Sequence, residues 1–266
     1  MTTDTHEIYA IRYAHHMRRS PENFIGGDPH DVPMPLDYYV WLITGGERTI
    51  LVDTGFGAGS AAKRGRTIVH PVAEGLQAMG VAPAGVTDVI ITHMHYDHAG
   101  NIDLFPQAKY HLQDREMQFA TGRCMCHDLL RHGYEVDDVT RLVRCVYDQR
   151  VQFHDGSSEI IPGVEVHHIG GHTMGLQSVR VKTKRGWVVL ASDASHFYAH
   201  LEQDRAFTIV YHVHELLAGF RTLKRLATSP QHVIPGHDPL VLARYPAARP
   251  GLEGWVARLD VEPVTR

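Results

Sequence analysis

Apolar positions along this chain recur mostly at a period of two or in short unbroken runs, and each pattern predicts an element. "HEIYAIRY" (6–13) alternates well enough to predict a strand. "YYVWLITGGERTILVDTG" (38–55) predicts two strands around a Gly45-Gly46 turn, with β-branched and aromatic residues on both sides. "PVAEGLQAMG" (71–80) predicts a short helix, with Pro71 in its first turn and Gly80 at its end. "VTDVIIT" (86–92) is almost wholly apolar, as expected of a strand buried on both faces. "KYHLQ", "VEVHHI", "LQSVRVKT" and "WVVLAS" predict further strands. From His212 onward, Val213, Leu216, Leu217, Phe220, Leu223, Leu226 and Ala227 fall at helical spacing with one buried face. "HVIPGHDP" (232–239) predicts a last short strand and a loop. Strands with interspersed helices imply layered sheets covered by helices.

The chain has 266 residues, within range for one layered α/β domain, and carries no internal repeat or long linker, so residues 1–266 read as one domain. Residues 18–35 form a Pro/Gly-rich stretch in which Phe24, Ile25 and Met34 could lay an apolar lid over something. A net charge of −4 gives no basic field for nucleic acid. No run approaches the roughly 18 apolar residues of a membrane span. The start lacks the basic and apolar regions of a signal peptide, and three cysteines, two of them in "RCMCH", fit a reducing compartment. The expectation is a cytoplasmic protein with no membrane or nucleic-acid partner. A homodimer is compatible with the sequence.

Composition changes the picture at one point: there are 21 histidines. "THMHYDHAG" crowds His93, His95, Asp97 and His98 into six residues just after an apolar run. In an extended stretch residues i and i+2 share a side, so His93 and His95 can face one metal ion while Asp97 and His98 turn elsewhere. One ion cannot comfortably take all four, but two can. Imidazole and carboxylate suit zinc, and iron, manganese or cobalt could also bind them. Three later strand ends offer more ligands: His172 in "IGGHTMG", Asp193 in "VLASDASH" and His237 in "VIPGHDP". By contrast, the adjacent pairs His15-His16 and His167-His168 should point to opposite faces.

"HMHYDH" resembles the H-x-H-x-D-H motif of the metallo-β-lactamase superfamily of hydrolases. His172, Asp193 and His237 match its remaining ligands in order, and "LVDTG" matches its early Asp-containing turn. The resemblance spans roughly residues 36 to 240. It implies a four-layer αβ/βα sandwich with two divalent metal ions, zinc foremost, at one edge. His93, His95 and His172 would hold one ion, and Asp97, His98 and His237 the other. Asp193 and a hydroxide would bridge them, and Asp53 would orient a ligand imidazole from behind.

Among the superfamily's branches, the β-lactamases usually use a Cys ligand, and none of the cysteines here occupies a ligand position. Glyoxalase II enzymes add a C-terminal helical domain, and the processing nucleases add basic exosites; neither feature is visible. "SDASHFY", the helix "VHELLAGFRTLKRLA" and "PGHDP" look like the N-acyl-homoserine lactonases. That branch implies a lactone or related cyclic ester opened by attack of the bridging hydroxide, with Asp97 or Asp193 moving the proton. Where known members carry a Tyr three residues after the bridging Asp, this chain has His196, with Tyr198 two residues on. Either is a candidate donor to the developing oxyanion. Met94, Tyr96, Phe24, Met34 and Phe197 could line an apolar pocket. Thioester hydrolysis, phosphodiester hydrolysis and non-catalytic metal binding are the alternatives.

Overall fold

The computed structural model describes residues 5–45 and 48–264. Gly46, half of the expected turn, lies outside them. Thirteen strands occur among the described residues: β1 Glu7–His16, β2 Leu36–Thr44, β3 Ile50–Val52, β4 Thr67–Ile68, β5 Asp88–Ile90, β6 Lys109–Gln113, β7 Val151–His154, β8 Ser157–Ile161, β9 Val164–His168, β10 Gln177–Thr183, β11 Gly186–Ser192, β12 Val233–Pro235 and β13 Val256–Arg258. They form two sheets. The first runs β13-β1-β2-β3-β5-β6-β7 with β4 on β1, and the second runs β12-β11-β10-β9-β8.

Alternation along the strands explains the layering. Ile8 and Ala10 of β1, Trp41 and Ile43 of β2, and Ile50 and Val52 of β3 face Val164, Val166, Val179, Val181 and Leu190 of the second sheet, in one core between the sheets. Their neighbours Tyr9, Ile11, Leu42 and Leu51 face the other way, onto a core shared with helices α2 (Val72–Ala78), α4 (Asp114–Thr121) and α6 (Val136–Tyr147). Val189 and Ala191 of β11 face outward against Leu216, Phe220 and Leu223 of α8 (Val213–Leu226). Helix, sheet, sheet, helix: these are the four layers of the αβ/βα sandwich that the resemblance implied.

β3, β5, β6 and β7 pair in parallel, and the crossovers between them carry α2, α4 and α6, whereas β1 and β2 pair antiparallel. A parallel central strand buried on both faces accounts for the nearly all-apolar stretch around β5, Asp88 excepted. The expected helix at 71–80 is Val72–Ala78, and it ends before Gly80, which adopts a left-handed φ of 77°. Among the described residues no helix is long and apolar enough to cross a membrane.

The 18–35 segment is tied down along its length. Ser20 N donates to the Val32 carbonyl and Met34 N to the Arg18 carbonyl. Phe24 is buried against His200 and covered by Arg205, and Met34 packs on the outer core. Phe24, Met34, Met94 and Phe197 are core residues and do not line the cavity described below, so that expectation is corrected for these four; Tyr96 does line it.

Candidate metal centre

The ends of four strands converge on one edge of the two sheets. The chain leaves β5 into residues 91–98, leaves β9 into the loop bearing His172, and places Asp193 directly after β11 and His237 just after β12. Close approach needs glycine at two of these points. A Cβ on Gly171, which has φ +85°, would stand 2.4 Å from Leu216 N, and one on Gly236 would stand 2.7 Å from the Ser192 carbonyl oxygen.

All seven expected ligands are buried and meet here. His172 Nδ1 donates to the Ile209 carbonyl at 2.7 Å, so its Nε2 presents a lone pair. That nitrogen lies 3.2 Å from His93 Nε2 and 3.0 Å from His95 Nδ1. On the other side, His237 Nδ1 donates to the Asp37 carbonyl at 2.9 Å, which turns Nε2 inward, 3.8 Å from Asp97 Oδ2. His98 Nε2 is 3.5 Å from the same Asp97 oxygen. Asp193 stands between the groups. Its Oδ1 is 3.0 Å from His237 Nε2 and 3.3 Å from His98 Nε2, while its Oδ2 is 3.3 Å from His172 Nε2 and 3.9 Å from His93 Nε2.

This donor set fits two divalent cations. His98 Nε2 and Asp193 Oδ1 are fully buried and have no hydrogen-bond partner among the described residues, a costly state that a bound cation would relieve. The trios His93, His95, His172 and Asp97, His98, His237 each bring their ligand atoms within 4.8 Å of one another. Burial holds the imidazoles of His93, His95 and His172 below their usual pKa, leaving neutral nitrogens suited to a metal. Burial also pulls His98 and His237 down, but the carboxylates, Asp193 first, outweigh it and raise both. For Asp193, burial opposes ionisation, yet His237, His196, His98 and His172 keep its carboxyl well below the ordinary range.

The supporting contacts are as specific. Asp53 Oδ2 accepts from His98 Nδ1 at 2.7 Å, and its two oxygens also accept from Thr92 N at 2.8 Å and Thr92 Oγ1 at 2.9 Å. It does so from a left-handed backbone, φ 62°, an uncommon conformation for a residue other than Gly. Asp53 therefore sits behind the His98 imidazole and fixes its orientation. Glu116 on α4 was not legible in the sequence. Fully buried, it accepts from Met94 N at 2.9 Å, Tyr134 Oη at 2.9 Å, Thr173 Oγ1 at 2.6 Å and Gly175 N at 3.2 Å. One carboxylate thus ties the His93–His95 segment to the His172 loop.

The two candidate donors part company. His196 lines the cavity over the cluster, stacks on Phe207 at 3.7 Å and places Nε2 3.0 Å from Asp193 Oδ2. Burial pushes its pKa down to about 3, so the ring is neutral. Tyr198 is not brought to the cluster. Its ring lies under Arg244 at 3.9 Å, on a different cavity lined also by Leu201, Glu202 and Lys224. The reason is local: Tyr198 begins helix α7 (Tyr198–Gln203), its N–H donates to Asp238 Oδ2, and its side chain packs into the inter-sheet core.

The cavity above the cluster has a volume of about 200 Å³. Its lining combines apolar Phe119, Leu129, Leu130, Ile209 and Val210 with Arg18, Arg64, Arg66, Tyr38 and Tyr96.

A sandwich of this kind with seven convergent His and Asp ligands at its edge defines a metal-dependent hydrolase. Residues 34–237 match the family described as the metallo-beta-lactamase superfamily, and the chain belongs to it. An N-acyl homoserine lactonase of a Bacillus species is 27% identical over 222 residues, covering 76% of this chain and 82% of that protein. Metallo-beta-lactamase domain-containing protein 1 of Xenopus laevis is 33% identical over 186 residues, covering 64% of this chain and 65% of that protein. A crystal structure of a quorum-quenching N-acyl homoserine lactone lactonase superposes with a TM-score of 0.73 at 24% identity, over 90% of this chain and 94% of that one, and shares the fold.

Proposed function

We propose that this protein opens a lactone, an N-acyl-homoserine lactone or a related cyclic ester, at a dinuclear centre for which zinc is the first choice. The observation that carries the reading is Asp193, whose two oxygens face two separate histidine groups beneath a cavity with a partly apolar lining. Two divalent ions held there would supply hydroxide at neutral pH and polarise the ester carbonyl. The chain's own residues do the rest. The apolar part of the lining takes the acyl part of the substrate and excludes water from it. Overall, the oxygen of water joins the carbonyl carbon, the ring C–O bond breaks, and the departing oxygen takes a proton. Asp193 and Asp97, at the floor of the cavity, are placed to carry that proton. His196, neutral, donates its single ring N–H from Nε2 to Asp193 Oδ2 at 3.0 Å, so it orients that carboxylate and reaches the oxyanion only if that bond is exchanged. Relatives named as lactonases match most of their own length to this chain, which favours lactones over other esters.

The test is a panel of lactones, thioesters and phosphodiesters on zinc-loaded protein. The reading expects kcat/KM for the best lactone to exceed that for any thioester or phosphodiester by at least ~10-fold. A thioester or phosphodiester as the best substrate would replace it.

A further inference from the structure

The lining of the cavity has more positive charge than the fold needs. Arg64 is neutralised: its guanidinium lies 2.8 Å from Glu135 Oε1 and stacks over the Tyr96 ring. Arg66 is different. Its Nε donates to Tyr96 Oη at 3.1 Å, and its Nη1 donates to the Arg64 carbonyl and to His16 Nε2 at 3.2 Å. Among the described residues it makes no ion pair, and no hydrogen bond uses its Nη2. Arg18, with a side chain only 14% exposed, donates from Nη2 to the Glu22 carbonyl at 2.6 Å, but its one carboxylate contact is a long 4.0 Å from Nε to Glu22. Burial first, then these two guanidinium groups, lowers the pKa of His16 to about 4. A neutral His16 is what Arg66 can donate to. Tyr96 Oη meets Tyr38 Oη at 3.4 Å, and the Tyr38 ring packs edge-on against His237 at 5.1 Å. A line of donors therefore leads from the metal-ligand cluster to the guanidinium of Arg66.

Arg66 and Arg18 both line the cavity, and the Nη2 of Arg66, open to water, would gain a charge-assisted hydrogen bond from an oxyanion there. Apolar Phe119, Leu130, Ile209 and Val210 line the same cavity. We infer that the substrate carries a second, negatively charged oxygen group, a carboxylate or phosphate, received by Arg66 and Arg18 while its ester lies over the cluster. The assignment of the ester to the cluster rests on the lactonase reading; the anion site does not. Arg66 and Arg18 thus become specificity-determining residues that favour an acidic lactone over a neutral one.

The test uses the zinc-loaded protein and two sets of probes. Calorimetric binding of hexanoate, adipate and 6-phosphonohexanoate, with homologues one and two carbons longer, varies only the charge of the far end and involves no hydrolysable bond. At least one charged probe should bind ~10-fold or more tighter than the monocarboxylate of equal length. The better of carboxylate and phosphonate identifies the oxyanion. The preference should shrink with added salt, collapse towards one in Arg66→Gln, survive in Arg66→Lys and weaken in Arg18→Gln, with metal content unchanged. Equal or weaker binding of every charged probe, or a preference untouched in Arg66→Gln and Arg18→Gln alike, would overturn the inference. The second set is a γ-butyrolactone bearing a carboxylate side chain and its primary amide, compared as a ratio of kcat/KM. If neither is opened while the anion preference in binding holds, the lactonase reading fails and the anion site stands. If both are opened with no anion preference in either set, the reverse is true.

Discussion

Asp193 is the residue on which the two groups of His and Asp side chains meet, and Tyr198, one of two candidate donors, lies away from them. Their contrast shows what can be read at this scale. The clustering of these side chains was legible because the residue types come in a fixed order: His93, His95, Asp97 and His98 are nearly contiguous, and His172, Asp193 and His237 each follow an apolar strand. Side-chain direction was not legible. Tyr198 stands five positions after Asp193, but the chain turns into α7 there, and its hydroxyl ends buried, with no hydrogen-bond partner among the described residues, away from the cluster. Removing that hydroxyl should therefore leave catalysis alone. Tyr198→Phe is expected to keep kcat within about twofold of wild type and to leave stability unchanged or raise it by up to ~1 kcal/mol, since a buried hydroxyl with no partner is a net cost. Steady-state kinetics and thermal melts check this. A tenfold loss of kcat with metal retained would restore Tyr198 to the site.

At the scale of elements, the strand patterns and the α8 stripe were legible, while α4 and α6 were not read. The alternation of β1, the apolar run of β5 and the stripe of α8 each predicted an element that is present. Nothing in the sequence singled out α4 or α6, because α4 offers little more than two turns and its decisive residue, Glu116, is a polar one buried inward. Its role depends on partners from three other segments, Met94, Tyr134 and Thr173, that no local pattern connects. Burial pushes the Glu116 carboxyl up, while Thr173, Met94, Tyr134 and Gly175 pull it down by hydrogen bonding. Glu116→Gln replaces an acceptor oxygen with an NH2 that must face donors. Contacts that orient ligands from behind are typically worth about 10- to 100-fold in metal affinity, and a loss of that size is expected here. Competition with a chelating dye measures it; unchanged affinity would reduce Glu116 to a packing residue.

Across the whole molecule, the layers join through buried polar bolts as well as apolar cores. His200 on α7 donates from Nε2 to the Asn23 carbonyl at 3.0 Å and accepts the Phe197 N–H on Nδ1 at 3.3 Å, fastening the 18–35 segment to the body. Both nitrogens are committed, so the ring has no room for a second proton. Burial takes its pKa from the ordinary 6.5 down to about 4. Above pH 6.5 neither the folded nor the unfolded ring is charged. Between 6.5 and 4 mainly the unfolded chain takes up the proton, so stability falls as pH falls, by at most roughly 1.4 kcal/mol per pH unit from this residue. His200→Gln keeps a donor for Asn23 and removes the titration. Its Tm should drop less than that of wild type between pH 6.5 and 4.5; equal drops would contradict the assignment.

The central claim is that the ligands divide into two sets that work together across Asp193. The direct measurement is a titration of metal-depleted protein with zinc, following lactone hydrolysis and bound metal in the same samples. The account predicts little activity at low occupancy and a plateau only as two ions per chain are bound, with Asp193→Asn at least ~10²-fold lower in kcat at the same metal content. Full activity at one tightly bound ion per chain, unchanged by the second, would contradict it.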